Sequence, residues 1–173
     1  MGASGTSLTL LRALLESRHL TLADATLFLS DLGPGSFTGV KVGVTLAKTL
    51  AFAQTKPAGG AQSFELIDPD GLVVLPSKKG EWFVREPGQE PVRQPDLPAK
   101  DFKGYGTGID DPTYPRAERF ATLLSRIIPI EPERLVPEYL IEPSISKPKV
   151  PYKDVPSGPP SPLAKQGESD GVA

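Results

Sequence analysis

Gly33-Pro34-Gly35-Ser36-Phe37-Thr38-Gly39-Val40-Lys41-Val42-Gly43 is the stretch whose reading decides the fold. Just before it, Thr26-Leu27-Phe28-Leu29-Ser30 is a short apolar run between polar residues, the pattern of a buried strand. After it the apolar spacing predicts a helix to about Gln54, capped by Ser36 and ended by Lys56-Pro57. A strand that feeds a Gly-rich turn and then a helix suits an anion, because helix N-termini present unpaired N–H groups. The spacing, however, fits neither common phosphate motif. A dinucleotide fingerprint needs Gly where Thr38 stands, and a P-loop needs Gly-Lys-Ser/Thr where Gly39-Val40-Lys41-Val42 stands. Two readings stay open: a tight turn capped by Ser36, or a nucleotide contact through Gly33, Gly35 and Ser36.

The helix after the turn has one narrow polar stripe, Lys41, Thr45, Lys48 and Thr49, and is otherwise apolar. A helix with so wide an apolar surface is either deeply buried or buried on two sides. Gly39, Gly43, Ala47 and Ala51 recur at spacing four, a small-residue ridge that lets another backbone approach. One reading packs this ridge inside the chain, against a Leu-rich helix over Ser7–Arg18. The other packs one face on the strands and docks a partner on the other.

In the Ser7–Arg18 helix Leu8, Leu10, Leu11, Leu14 and Leu15 fall at helical spacing, with Ser7 as the expected N-cap and His19 at the stop. A second strand is expected over Ala58–Gln62, giving an α/β unit with a right-handed crossover. Residues 71–86 carry a hairpin pattern: Leu72-Val73-Val74-Leu75 and Glu81-Trp82-Phe83-Val84-Arg85 around Ser77-Lys78-Lys79-Gly80. Residues 86–101 read as a loop, and Gly104 and its glycine neighbours as a strand end with close backbone approach. A third amphipathic helix is expected from about Tyr114 through Ala117, Phe120, Leu123 and Ile127, then an extended segment over Leu135–Ile141. From Pro143 seven prolines fall in 31 residues with few large apolar side chains, so the tail is expected to be disordered.

With 173 residues, 38% hydrophobic, twenty prolines and seventeen glycines, the chain suits one domain or two small lobes beside irregular segments. A net charge of −2 argues against holding nucleic acid by bulk electrostatics, so any RNA is expected to be reached through a partner. The chain has no cysteine, no apolar run long enough to span a membrane and no signal-like start, so a cytoplasmic location is expected. His19 is the sole histidine, expected to cap carbonyls at its helix end. Ser36 lacks both a base and a Gly-x-Ser-x-Gly elbow. Asp31 and Asp110-Asp111 are acidic loop positions that could touch Mg²⁺ or a nucleotide, with solvation as their ordinary reading, and Trp82 reads as strand packing rather than a base-stacking platform. The residues form no catalytic constellation and no metal-ligand cluster.

The Gly33–Gly43 run resembles the signature of the TsaB (YeaZ) family, with Lys41 where Arg is usual. Leu22-Ala23-Asp24, Lys78-Lys79-Gly80-Glu81 and Val136-Pro137-Glu138-Tyr139-Leu140 follow in the family's order. The resemblance implies an actin-like (hsp70/sugar-kinase, ribonuclease H-like) α/β fold. On that pattern residues 1–62 are a first lobe, 63–142 a smaller second α/β lobe and 143–173 the Pro-rich tail. Family members begin with a strand carrying Asp-Thr-Ser and two more before the first helix. The residues before Ser7 are too few to hold them, so the first lobe is expected to be truncated. The resemblance further implies a non-catalytic subunit in making threonylcarbamoyladenosine beside the tRNA anticodon. Its partners are a TsaD-type catalytic subunit and a TsaE-type ATPase, with tRNA engaged indirectly and a homodimer possible through the same helices. ATP or ADP would enter only at the level of the complex. The implied interface falls on Leu11, Leu14, Leu15 and Arg18 of the first helix and on Gly39, Val40, Gly43, Val44, Ala47 and Ala51 of the second.

Overall fold

The computed structural model describes residues 3–78 and 80–140, which belong to a unit running to Ile141. Lys79, Ile141 and the Pro-rich tail lie outside the described residues. Helix α1 spans Ala3–Ser17, strand β1 Phe28–Asp31, helix α2 Phe37–Ala53, strand β2 Ala58–Ala61 and helix α3 Ser63–Ile67. Strands β3 (Val73–Pro76), β4 (Trp82–Arg85), β5 (Val92–Gln94) and β6 (Lys103–Gly104) follow, then helix α4 (Phe120–Leu123). The architecture is mixed α/β, as expected.

Strands β1 and β2 pair in parallel, Phe28 opposite Ala58 and Asp31 opposite Ala61. Helix α2 crosses between them and begins where its sequence says it should. Ser36 is the N-cap, its hydroxyl accepting from the Gly39 amide at 3.4 Å. Val44, Ala47 and Ala51 of α2 form one core with Ala58 and Leu135. The Ala47 and Ala51 end of the small-residue ridge is therefore packed within the chain, while Gly39 is exposed. A Cβ on Gly43 would sit 3.2 Å from the Ser30 hydroxyl, so the ridge faces β1 rather than α1. Lys48, from the polar stripe, donates to the carbonyls of Glu133 and Leu135 and ties a 3-10 turn, Pro132–Arg134, to α2.

The second sheet has the order β5-β4-β3-β6. Phe64 and Ile67 of α3 lie with Val73, Leu75 and Phe83 beneath it, while Leu66 packs with Ala61 and Leu123. The hairpin of β3 and β4 is antiparallel as its pattern requires. Strand β6 runs parallel to β3, and a Cβ on Gly104 would strike the Val74 carbonyl, so the close backbone approach is met by glycine. Arg85 is buried on this sheet, its guanidinium donating to the carbonyls of Asp68 (2.6 Å) and Pro69 (3.2 Å).

Several expectations are corrected. Helix α1 starts at Ala3, so Ser7 is inside it and not its cap; no proline interrupts Ala3–Thr6. The backbone, not the His19 side chain, closes α1: His19 takes φ 55°, and the Leu20 and His19 amides bond back to the Leu15 and Glu16 carbonyls. Strand β1 runs to Asp31, not Ser30. The expected loop 86–101 contains β5, because Val92 and Arg93 pair with β4 despite the prolines around them. The third helix is reduced to a 3-10 turn, Ala117–Arg119, and the four residues of α4, since Leu123 alone of its apolar set is buried. Residues 135–140 of the expected extended segment carry no strand, but the Glu138 amide donates to the Leu32 carbonyl, and Ile130 forms an isolated bridge to Ala58.

Candidate functional site

The Gly turn is held by Asp31. Its Oδ1 accepts from the Gly33 amide at 2.8 Å and from the Ser63 hydroxyl at 2.7 Å. The Ser63 amide in turn donates to the Gly33 carbonyl, so the end of β1, the turn and the start of α3 are clamped together. Burial pushes the Asp31 carboxyl above its ordinary value, against the opposing pull of the Ser63 and Gly33 hydrogen bonds. Gly33 and Pro34 are buried, whereas Gly35 and Ser36 are exposed. A Cβ on Gly35 would come within 3.5 Å of the Tyr105 hydroxyl. The Gly33 and Gly39 amides, which a phosphate would use, are committed to Asp31 and Ser36.

The two helices present a different kind of surface. On α1 Leu8, Leu10 and Leu14 are 48%, 65% and 56% exposed, and on α2 Phe37 and Phe52 are 51% and 66% exposed. A groove of about 490 Å³ runs between them, lined by Leu8, Phe37, Lys41, Val42, Leu46 and Thr49 among others. Phe37 stacks on Tyr139 at 5.4 Å, and the Lys41 ammonium lies 5.7 Å from the Phe37 ring. This face is apolar, rimmed by Lys41, Thr45 and Thr49, and built on two helices. Exposed apolar surface of that kind fits protein docking better than catalysis.

The expected interface residues divide. Leu14, Arg18 and Gly39 are exposed, and Leu11, Leu15, Val40 and Gly43 are half-buried. Val44, Ala47 and Ala51 are buried in the chain's own core and offer a partner nothing in this structure. Leu8, Leu10, Phe37 and Phe52 are surface residues that the small-residue pattern did not single out; the signal for them was the apolar surplus of both helices. Among the described residues no three His, Asp or Glu side chains gather as metal ligands do, and no helix is long and apolar enough to cross a membrane.

A family model described as TsaD, tRNA N6-adenosine threonylcarbamoyltransferase, matches residues 5–67, the segment from α1 to the end of α3. The tRNA threonylcarbamoyladenosine biosynthesis protein TsaB of Bacillus subtilis is 39% identical over 59 residues, 30% of this chain. That match spans about a quarter, 26%, of the relative's own length. The solved structure of YeaZ from Pseudomonas aeruginosa superposes with a TM-score of 0.63 at 21% identity, over 79% of this chain and 84% of that one. The chain resembles the TsaB (YeaZ) proteins. A second solved structure, described as similar to peptidase YeaZ from Pseudomonas aeruginosa, has a TM-score of 0.62 at 20% identity, covering 78% and 82% of the two chains. The YeaZ structures carry the fold, the Bacillus TsaB carries a sequence likeness over 59 residues, and the TsaD model carries that of the α1–α3 segment. The resemblance read from the Gly33–Gly43 signature is thereby borne out, and with it the YeaZ-like α/β fold.

Proposed function

We propose that the exposed face of α1 and α2 docks a TsaD-type protein. On this reading the chain is a non-catalytic subunit supporting threonylcarbamoyl transfer to the adenosine beside the anticodon of tRNAs that read codons beginning with A. The observation that carries it is the apolar surface of Leu8, Leu10, Leu14, Phe37 and Phe52, large side chains left in water on two adjacent helices. The likeness to the Bacillus TsaB, and to the TsaD family model over the segment that holds α1 and α2, supports the choice of partner. A net charge of −2 fits a subunit that leaves phosphate contacts to its partners. A TsaE-type ATPase completes the assembly, and any ATP or ADP is bound by the complex as a whole. The alternative, a small kinase or hydrolase using the Gly turn, is weakened by Asp31, which occupies the Gly33 amide.

Size-exclusion chromatography of the chain mixed with the TsaD-type subunit of the same organism tests this. Co-elution at micromolar concentration is expected, and Leu10→Glu with Phe52→Glu should abolish it. Separate elution of the wild-type proteins contradicts the proposal, as does co-elution undisturbed by the two charges. If the chain alone forms a dimer through the same face, the double variant elutes as a monomer.

A further inference from the structure

We propose that a cavity at the ends of β1, β2 and β4 binds a small zwitterion of the α-amino acid class. Arg85 and Arg126 take its carboxylate, and Glu65 and Glu138 take its ammonium group.

The cavity measures about 370 Å³, and its wall carries Gln62, Glu65, Arg85, Gln89, Arg126 and Glu138. None of its lining residues belongs to α1 or α2, so it is separate from the docking face. Ligand pockets span roughly 300–1,000 Å³ and are mostly apolar, so a small and strongly polar cavity suits a small charged molecule. Arg85 is the anchor, 7% exposed. Its terminal nitrogens donate to the Asp68 and Pro69 carbonyls, and its buried Nε–H has no acceptor. Glu65, Asp68 and Asp70 act on it across space, yet among the described residues no carboxylate forms an ion pair with it. Buried charges are ordinarily paired and buried N–H groups ordinarily bonded, so this guanidinium on a polar cavity points to an anion. Arg126 is exposed on the same wall and likewise has no ion pair among the described residues. The guanidinium fork matches a carboxylate in shape and charge.

The wall also carries the opposite charge. Glu65 Oε2 accepts from the Gln62 amide at 3.1 Å, and Glu138 Oε2 accepts from Gln62 Nε2 at 2.7 Å. Among the described residues the second oxygen of each carboxylate takes no protein donor. Gln62 thus holds both carboxylates in place and leaves each with a free acceptor. Opposite charges sharing one cavity are free to pair with each other, and these do not. A dianion such as phosphate is repelled by Glu65 and Glu138, and a plain cation by Arg85 and Arg126. A molecule with one charge of each sign meets a partner on both halves of the wall, and an α-amino acid is the smallest that does.

The test titrates the full chain, labelled with nitrogen-15, with each of the common free L-amino acids and with inorganic phosphate, followed by NMR. At least one amino acid should bind with Kd below about 1 mM and move the Arg85 Nε–H signal. The matching acid without the amino group, and the matching amine without the carboxylate, should each bind about tenfold more weakly or worse. Arg126→Gln and Glu138→Gln alter exposed side chains, so each should keep the wild-type thermal midpoint and weaken binding by about tenfold or more. Glu131→Gln, exposed and outside the cavity, should leave binding unchanged. Four results would overturn the proposal. These are no binding of any amino acid up to about 10 mM, phosphate binding as tightly as the best amino acid, binding that leaves the Arg85 signal unmoved, or binding undisturbed by both Arg126→Gln and Glu138→Gln.

Discussion

Asp31 gathers three local demands on one oxygen: the Gly33 amide, the Ser63 hydroxyl and its own partial burial. Removing the side chain with Asp31→Ala should cost about 1–3 kcal/mol, since a buried amide and hydroxyl lose their acceptor. Urea denaturation checks this. Asp31→Asn keeps an oxygen in place and removes the charge, so it should be at least as stable as wild type at pH 7. The sign follows from burial, which raises the Asp31 carboxyl in the folded chain. Its favourable neutral form is present below the unfolded value, near ~3.9, and is lost as pH rises through the folded one. Wild type should thus lose stability over that window where Asp31→Asn does not. Asp68 works the other way: the Lys103 ammonium, 2.7 Å away, lowers its carboxyl, and that contribution fades as pH falls. At this scale the sequence was least informative. Asp31 read as a loop acid because its partner Ser63 lies 32 residues on, beyond the reach of any local pattern.

Among the elements, α2 was the most legible. Ser36 caps it, Lys56-Pro57 follows its end, and the structure places it at Phe37–Ala53. Its orientation was not legible, because a helix apolar around most of its circumference does not announce which side faces the core. The ridge of Gly43, Ala47 and Ala51 looked suited to a partner and instead lies on the chain's own strands. Strand β5 escaped notice because tertiary pairing with β4 overrode a Pro-rich context, and α4 proved short because Leu124 and Ile128 remain in water. Overpacking the ridge with Ala51→Leu should therefore destabilise the fold by about 1–3 kcal/mol, seen as a lowered thermal midpoint. Leu14→Glu on α1 should change stability by no more than about 0.5 kcal/mol, because Leu14 is already exposed. The same variant should weaken partner binding by at least about tenfold, measured by calorimetry. If Leu14→Glu unfolds the chain, the α1 face is core and not interface.

In the whole molecule the two sheets carry different duties. The β3–β6 sheet packs Val73, Leu75 and Phe83 against Phe64 and Ile67 of α3. The β1–β2 layer supports α2, and through it the exposed α1–α2 face. The YeaZ-like fold was legible from the Gly33–Gly43 signature and is matched by the solved structures. The docking reading rests on where the apolar side chains were left. Its most direct test is hydrogen–deuterium exchange of the chain with and without the TsaD-type subunit. The account predicts slowed exchange along α1 and α2, with the β3–β5 segments unchanged. Protection confined to the β3–β5 sheet, with α1 and α2 exchanging as in the free chain, would contradict it.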